Sequence, residues 1–219
     1  MNTISEKTIE RLILYRRLLL GMQNNGTNHI FSHQLAVMAG VTSAQLRKDL
    51  TPTGYYGSPV HGYDIRQLMD SISEIIDAPQ MQNVALVGLG HLGRAVLDYF
   101  QGRRPKLQII AGFDTDPGKI NRVIHGCRCY HTDEMEKVIS EKNITVGILA
   151  VPSDDAHEIA ERMVNAGIRG LLNYAPVRLK LPSDVYVENR DMIMAVEKAA
   201  YFARQSLKGK EVGIHESLS

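Results

Sequence analysis

The sequence predicts an α/β protein: a winged helix-turn-helix domain, then a Rossmann domain, which is a doubly wound parallel sheet, and then a terminal helix. The first part has helical apolar spacing around a helix-turn-helix pattern. After it, apolar strands alternate with amphipathic helices, which is typical of a parallel sheet. A G-x-G-x-x-G turn, from Gly88 to Gly93, directly follows the first strand. We therefore predict domains at 1–79 and 80–190, and the terminal helix in 191–219.

Composition limits the function classes. The chain has 219 residues, 44% hydrophobic and 22% charged, which is ordinary for a globular protein. Its net charge of +1 does not by itself indicate a nucleic-acid-binding protein, so any DNA-binding surface must be local. The sequence has no apolar run of about 18 residues and no signal-peptide segment near its start. We therefore expect a cytoplasmic protein with no membrane partner.

Three helices open the chain. Apolar residues at helical spacing predict a first helix over 5–22, capped by Ser5. Ser32 is expected to cap the second helix, and Gly40-Val41 forms the turn before the third. In a helix-turn-helix the latter helix enters the major groove, where Gln and Arg read bases and hydroxyls and Lys hold phosphates. The groove-facing candidates are Thr42, Ser43, Gln45, Arg47 and Lys48.

The segment 51–63 is rich in Gly, Pro and Tyr and predicts a small β-hairpin, the wing of a winged helix. Tyr55, Tyr56 and His61 are its candidate DNA contacts, although the segment contains no Lys or Arg. A fourth helix follows from Ile65 and ends near Pro79. A helical interaction domain that binds no DNA stays open as the alternative for this unit.

The glycine turn is the predicted dinucleotide site. The first glycine allows a tight bend, the second allows close approach of a pyrophosphate, and the third lets helix and strand pack closely. Asp114 ends the next apolar strand, 21 residues after Gly93, near the offset at which a carboxylate meets the ribose of NAD. Its charge disfavours a 2′-phosphate, a preference that Lys119 weakens if it points inward. A Rossmann-like domain without a dinucleotide is the alternative.

The remaining elements complete a doubly wound sheet, whose ligands bind outside the carboxyl ends of the strands. We predict helices at 117–124, 132–141 and 191–206, a helix from Ser153 or Asp154 to Ala166, and strands at 127–130, 144–151, 170–173 and 185–187. The expected cofactor contacts are Gly88, Leu89, Gly90, His91, Leu92, Gly93, Asp114, Lys119, Ala150, Val151, Pro152, Asn173 and Ala175. Asn173 is the favoured contact for the nicotinamide or a ribose.

Catalysis and metal binding are not expected. A dehydrogenase needs a proton-transfer group beside the hydride acceptor, and His157 and Glu158 are better explained as surface residues of a helix. An NAD-dependent oxidoreductase nevertheless stays an alternative. Cys127 and Cys129 have no Cys/His cluster to complete a zinc site. We expect them to lie on opposite faces of a short strand and not to bridge each other.

The chain resembles the Rex family of redox-sensing transcriptional repressors over residues 10 to 191. The resemblance rests on motifs in family order: Arg11-Leu12 through Tyr15 and Arg17, Arg47-Lys48-Asp49-Leu50, Val87 to Gly93, Phe113 to Pro117, Lys119-Ile120, Ala150-Val151-Pro152, Ala166 to Gly170, and Leu172 to Pro176. It implies a homodimer with winged-helix heads, Rossmann bodies and a domain-swapped terminal helix. It also implies that NADH releases the protein from an inverted-repeat operator, that NAD⁺ is compatible with DNA binding, and that Arg17, Tyr99 and Asp191 couple the two sites.

Three segments depart from the family pattern. Thr51-Pro52-Thr53-Gly54 replaces Ser-Tyr-Phe-Gly, and Ser58-Pro59-Val60-His61 occupies a wing that usually carries a basic residue. Ser153 to His157 replaces an Ala-rich stretch near the nicotinamide end. The first two bear on operator recognition, and a regulator that senses the nucleotide without binding DNA is therefore kept as a further alternative.

Overall fold

A computed structural model describes residues 4–100 and 106–216, with side chains of the last helix described to residue 207. The chain divides into two compact units, Met1–Gln80 and Met81–Ser219, called here the N-terminal and C-terminal units. Within the described ranges, no helix is long and apolar enough to cross a membrane.

The N-terminal unit contains α1 (Glu6–Asn24), α2 (Ser32–Ala39), α3 (Ser43–Leu50) and α4 (Ile65–Ile76). The predicted cap of the first helix is confirmed, since Ser5 Oγ accepts from Thr8 N at 3.3 Å. Thr42 Oγ1 caps α3 by accepting from Gln45 N at 3.1 Å. The predicted Ser32 cap is wrong by one residue: α2 begins at Ser32, and Phe31 N before it donates to Gln34 Oε1.

A single apolar core holds the four helices together. On α1 the buried residues recur three and four apart, at Leu12, Tyr15 and Leu19, so that one stripe of the helix faces inward. Leucines and isoleucines of the other elements fill the space around this stripe: Ile30, Leu35, Leu46, Leu50, Ile65, Leu68 and Ile72. The packing therefore fixes α3 against the rest of the unit.

The predicted hairpin at 51–63 is only partly present. Thr51–Thr53 forms a 3-10 turn, and pairing inside the segment is limited to a bridge in which Ser58 and Gly62 exchange two backbone hydrogen bonds. The two-stranded sheet is instead β1 (His29–Ile30) with β2 (Tyr63–Asp64), antiparallel. Gly62 sits at φ +72° against the backbone of Ile30, so a side chain there would collide. The wing is therefore a short loop anchored on β1.

The C-terminal unit is built on one sheet. Within the described residues its strands are β3 (Gln82–Val87), β4 (Leu107–Asp114), β5 (Val123–Ile124), β6 (Cys127–His131), β7 (Val146–Leu149), β8 (Gly170–Asn173) and β9 (Tyr186–Asn189). They lie in the order β5-β6-β4-β3-β7-β8-β9, and only the β5–β6 pair among them is antiparallel. The strand order reverses between β3 and β7, which is the point where a doubly wound sheet binds its ligand.

Helices cover both faces of this sheet. They are α5 (His91–Phe100), α6 (Met135–Glu141) and α7 (Ser153–Ala166). The side chains of β3 alternate between two buried clusters, Ala85 and Val87 in one and Val84 and Leu86 in the other. The predicted Rossmann architecture is confirmed, although α7 has Pro152 rather than Ser153 or Asp154 at its cap position and no side-chain cap bond there.

The predicted helix at 117–124 is absent from this described stretch. Asp116 Oδ1 accepts from Gly118 N at 2.8 Å and closes a turn, and Asn121 and His125 have φ of +62° and +46°. Left-handed residues cannot continue an α-helix. The chain instead forms β5, which pairs with β6 as a narrow hairpin.

The expectation that the two cysteines lie on opposite faces of the strand is wrong. Cys127 and Cys129 are both buried and lie on the same face of β6, because residues two apart in a strand share a face. Burial raises the pKa of the Cys127 thiol to about 12 and also raises the pKa of Cys129. Both thiols are part of the core under the sheet.

The last helix, α8 (Met192–Glu216), is longer than the predicted 191–206. Asp191 caps it, since Asp191 Oδ1 accepts from Met194 N at 2.9 Å and its carbonyl accepts from Ala195 N. Every side chain described from 192 to 207 is exposed in the single chain, large apolar ones included: Met192, Ile193, Met194, Val196, Tyr201, Phe202 and Leu207.

Candidate nucleotide site and DNA-binding surface

The three glycines of the turn after β3 differ in whether the packing of the protein requires glycine at that position. Gly88 sits at φ +91°, and an added Cβ would collide with the carbonyl of Ala150. A Cβ on Gly93 would collide with the carbonyl of Gly88. At Gly90 an added Cβ meets no protein atom within 4 Å, and its φ is not left-handed. The protein's own packing therefore requires glycine at 88 and 93 but not at 90.

The start of α5 supplies hydrogen-bond donors beside Gly90. The first intrahelical bond runs from Arg94 N to Gly90 O at 3.1 Å. The N–H groups of His91, Leu92 and Gly93 precede that bond and so have no partner inside the helix. An anion at this helix end is stabilised by such donors and by the helix dipole.

Asp114 ties the glycine turn to the end of β4. Its Oδ2 accepts from Leu89 N at 2.8 Å and from Lys119 Nζ at 3.0 Å, and its Oδ1 accepts from Asp116 N at 2.9 Å. Burial alone would raise the pKa of Asp114, but hydrogen bonds from Asp116 N, Lys119 and Leu89 N outweigh it, and the pKa is lowered. The carboxylate is therefore ionised at neutral pH.

Lys119 points inward, which is the orientation in which its charge weakens the effect of Asp114 on a 2′-phosphate. Its Nζ lies 3.0 Å from Asp114 Oδ2 and 3.5 Å from Asp116 Oδ2. The hydrogen bond to Asp114 raises the pKa of Lys119 more than partial burial lowers it. The ammonium and the Asp114 carboxylate therefore compensate each other.

The segment after β7 lies directly beside the glycine turn. Ala150 N donates to Val87 O at 2.9 Å, and the place of a Gly88 side chain is taken by the Ala150 carbonyl. Ala150 and Val151 are half-buried and Pro152 is exposed. The structure thus brings together the predicted residues at 88–93, 114, 119 and 150–152. Within the turn, the Leu89 side chain is buried, Leu92 is half-buried and His91 is exposed.

Asn173 has a structural task that the sequence did not show. Its Nδ2 donates to Val177 O at 2.8 Å and to Asn189 Oδ1 at 2.9 Å, and its Oδ1 accepts from Ala175 N at 3.0 Å. Both amide hydrogens are therefore used, and the side chain is fully buried. Asn173 shapes the segment 174–177, including buried Ala175, and attaches β9.

Arg94 is a residue that sequence reasoning missed. Its Nε donates to Leu89 O at 3.2 Å, so its guanidinium lies against the glycine turn and is otherwise exposed. The signal was a basic residue immediately after the third glycine. Arg94 adds a positive charge to a helix end that already favours anions.

The predicted recognition helix, α3, exposes some of its candidate DNA contacts, whereas others form hydrogen bonds within the unit. Thr42, Arg47 and Lys48 are exposed, and Ser43 is half-buried. Arg47 Nη1 donates to Ser32 Oγ at 3.3 Å. Gln45 Nε2 instead donates to Asp49 Oδ1 at 2.8 Å, so this amide group is held by the protein itself.

Asp49, which was not among the predicted site residues, anchors α3 to α1. Its side chain is only 2% exposed and accepts from Arg11 Nε at 2.6 Å, Arg11 Nη2 at 2.7 Å and Tyr15 Oη at 2.8 Å, besides Gln45. Burial would raise the pKa of Asp49, but the hydrogen bonds from Arg11, Tyr15 and Gln45 outweigh it and lower the pKa. The link fixes α3 relative to α1.

The candidate DNA contacts of the wing also divide into exposed side chains and one that bonds within the unit. Tyr56 and His61 are exposed. Tyr55 is half-buried beside Tyr63, and its hydroxyl accepts from Asp64 N at 3.2 Å. Tyr55 therefore supports the base of the wing, and Tyr56 and His61 are the side chains that the wing offers to solvent.

The candidate switch residues are spread over both units. Arg17 is exposed on α1, next to Arg16, which is held by Asp77 at 2.7 Å. Tyr99 is exposed on α5. Asp191 caps α8, so its carboxylate is placed at the start of the helix whose apolar side chains are exposed.

Two family profiles match the chain. One, described as "CoA binding domain", matches residues 79–177, and the other, described as "Putative DNA-binding protein N-terminus", matches residues 3–51. The redox-sensing transcriptional repressor Rex of Lactobacillus gasseri is 36% identical over 199 residues, which cover 91% of this chain and 93% of that protein. The Rex protein of an Exiguobacterium species is 33% identical and covers 97% of both chains.

The chain belongs to the Rex family of redox-sensing transcriptional repressors. The Rex-family repressor RSP has the same fold, with a TM-score of 0.86, 29% identity, and coverage of 96% of this chain and 100% of RSP. RSP in complex with β-NAD⁺ and operator DNA matches with a TM-score of 0.87 over 97% of this chain and 98% of RSP, at 29% identity. RSP in complex with β-NADH matches with a TM-score of 0.84, 28% identity, and coverage of 97% of this chain and 100% of RSP. The resemblance to Rex found in the sequence is therefore confirmed.

Proposed function

We propose that this Rex-family chain is a DNA-binding transcriptional repressor that senses the NADH/NAD⁺ ratio, with NADH releasing it from an inverted-repeat operator and NAD⁺ compatible with binding. One observation carries the proposal: nearly the whole chain matches a Rex repressor solved with both β-NAD⁺ and operator DNA. The same relative has also been solved with β-NADH. A regulator of this kind acts in the cytoplasm, where its operator lies.

The residues of the C-terminal unit fit a dinucleotide. Gly90, where no protein atom requires glycine, allows a pyrophosphate to approach the backbone and the donors at the start of α5. Asp114 and Lys119 would hold the adenosine ribose, and Ala150, Val151 and Pro152 would border the nicotinamide. Asn173 and Ala175 would support that end from behind. The bound dinucleotide supplies the redox state of its nicotinamide as the signal.

In the N-terminal unit the exposed candidates divide into two sets. Thr42, Arg47 and Lys48 on α3 would face the major groove, and Tyr56 and His61 on the wing would approach the minor groove. Gln45 and Tyr55 would act through the side chains that they position, since both are engaged inside the unit. Phosphate contacts by Lys and Arg make such binding salt-dependent.

An inverted-repeat operator requires two copies of the chain. The apolar side chains of α8 are exposed in the single chain, and a second copy would cover them. Arg17, Tyr99 and Asp191 would be the residues that couple the state of the cofactor to DNA binding. The role that we propose is regulatory, and the relatives carry the name transcriptional repressor.

The test is a binding titration of the full chain on DNA from its own promoter region, alone, with NADH and with NAD⁺. We expect NADH to release the DNA and NAD⁺ to leave it bound. Gly90→Ala should change the free energy of unfolding by less than about 1 kcal/mol, because its methyl group meets no protein atom, and yet abolish the NADH response. Gly170→Ala is the matched control, since its methyl group meets only Val146 Cγ2 at 4.0 Å.

Other outcomes would replace the proposal. DNA binding that neither nucleotide changes would support a repressor but refute its sensing of NADH. NADH binding without DNA binding would favour the alternative of a nucleotide-sensing regulator that does not bind DNA. The absence of Lys and Arg from the wing agrees with that alternative. Turnover of NADH with a small substrate would favour the oxidoreductase.

A further inference from the structure

Two carboxylates and one ammonium group lie together where β4 ends, at the place proposed for the adenosine ribose. We propose that Asp116, and not Asp114, is the charge that excludes dinucleotides carrying a 2′-phosphate, so that Asp116 determines NADH over NADPH. The inference rests on the proposed function. It concerns which nucleotide the site accepts, a property that the glycine turn does not decide.

Asp114 has little capacity left for a ligand. Each carboxylate oxygen accepts about two hydrogen bonds. Oδ2 already accepts from Leu89 N and Lys119 Nζ, and Oδ1 accepts from Asp116 N. One acceptor position therefore stays available for a ribose hydroxyl. The side chain is only 11% exposed, and its charge is compensated by Lys119 at 3.0 Å.

Asp116 carries the negative charge that stays uncompensated. The two carboxylates and the single ammonium sum to −1, and Asp116 is the outer carboxylate, 50% exposed against 17% for Lys119. Its Oδ1 accepts from Gly118 N at 2.8 Å, which fixes the side chain on the turn. Its Oδ2 lies 3.5 Å from Lys119 Nζ and so holds the ammonium turned inward.

This arrangement treats the two nucleotides differently. A ribose 2′-hydroxyl donates to a carboxylate, whereas a 2′-phosphate brings about two further negative charges. Repulsion of a phosphate by Asp116 is therefore not offset by Lys119, whose charge is used by Asp114. Replacing Asp116 by Asn makes the cluster neutral and so removes the repulsion of a 2′-phosphate. Loss of Lys119 has the opposite effect, because both carboxylates are then uncompensated.

The test measures dissociation constants for NADH and NADPH on the full-length protein, from the change in nucleotide fluorescence. For Asp116→Asn we expect the ratio of the NADPH to the NADH constant to fall roughly ten-fold, with the NADH constant changed less than about three-fold. For Lys119→Met we expect the ratio to rise. Far-UV circular dichroism confirms that each variant is folded.

Asp184→Asn is the matched control. Asp184 is also an exposed carboxylate near one cation, Arg169 at 3.9 Å, but it precedes β9, an edge strand that β3, β7 and β8 separate from β4 and Asp114. Its nucleotide ratio should equal that of the wild type. If Asp116→Asn behaves like Asp184→Asn while NADH still binds and releases DNA, this inference alone is overturned. If the wild type binds neither nucleotide, the proposed function falls with it.

Discussion

Replacing Asp49 by Asn should loosen the whole N-terminal unit. The substitution keeps the shape of the side chain, removes the charge opposite Arg11, and places an amide N–H among donors from Arg11 and Tyr15. Breaking one partner of a buried ion pair costs about 3–5 kcal/mol. Because the Arg11 side chain is 24% exposed, water recovers part of that loss, and we expect about 3 kcal/mol.

Hydrogen exchange on the full chain, read by mass spectrometry, measures this loss where it occurs. A destabilisation of about 3 kcal/mol makes exchange roughly a hundredfold faster in peptides from α1 and α3. Peptides from β3 and β4, in the other unit, serve as the internal reference. Tyr15→Phe removes one of the four hydrogen bonds to Asp49 and should cost about 1 kcal/mol.

The exposed Asp70 on α4 offers the control for the change of charge alone, since surface substitutions stay within about 0.5 kcal/mol. The reasoning is refuted if Asp49→Asn speeds exchange no more than Asp70→Asn does.

A pH series adds a second check. The pKa of Asp49 is lowered by folding, so its stabilisation is present above the unfolded value of about 3.9 and is lost as the pH falls through the folded value. The gap between wild type and Asp49→Asn should therefore begin to narrow below about pH 4 and close as the pH falls through the folded pKa of Asp49.

Three further substitutions test other parts of the structure. Gly93→Ala should lower the thermal midpoint of the C-terminal unit by several degrees, because its methyl group collides with the Gly88 carbonyl; an unchanged midpoint would contradict that packing. Asp191→Ala should cost about 1 kcal/mol of helix stability and speed exchange at the start of α8 roughly fivefold, whereas equal exchange would mean that the cap contributes nothing. Asn173→Ala should expose the segment 174–185 to limited proteolysis, since Val177 O and Ala175 N lose their partner, and wild-type resistance would disprove this role.

Sequence reasoning found the parts of this molecule whose determinants are local. The apolar run Val84 to Val87, the glycine turn and Asp114 lie within one βαβ unit, and each has a backbone or spacing reason that is visible in the letters. The four helices of the N-terminal unit follow from their apolar stripes in the same way. Long, periodic elements were therefore predicted to within a few residues, apart from the last turns of α8.

What sequence reasoning missed depends on partners far along the chain or on backbone angles. Ile120, Val123 and Ile124 have helical spacing, but left-handed conformations at 121 and 125 prevent a helix, and Asn and His favour that conformation without requiring it. Two-residue strands such as β1 have no periodicity to detect. Asp49 meets Arg11 38 residues earlier, and Asn173 meets Asn189 16 residues later. Only the folded chain shows that these polar groups are already in use.

The burial of Cys127 and Cys129 limits direct oxidation of this chain. A thiol reacts with peroxides and disulfides as its thiolate, and with a pKa of about 12 roughly one Cys127 in 10⁵ is ionised at pH 7. Burial and the raised pKa therefore slow the reaction of these sulfurs with oxidants in solution. A repressor that binds NADH or NAD⁺ reversibly responds instead to the ratio of the two nucleotides, and no enzyme has to repair the protein afterwards.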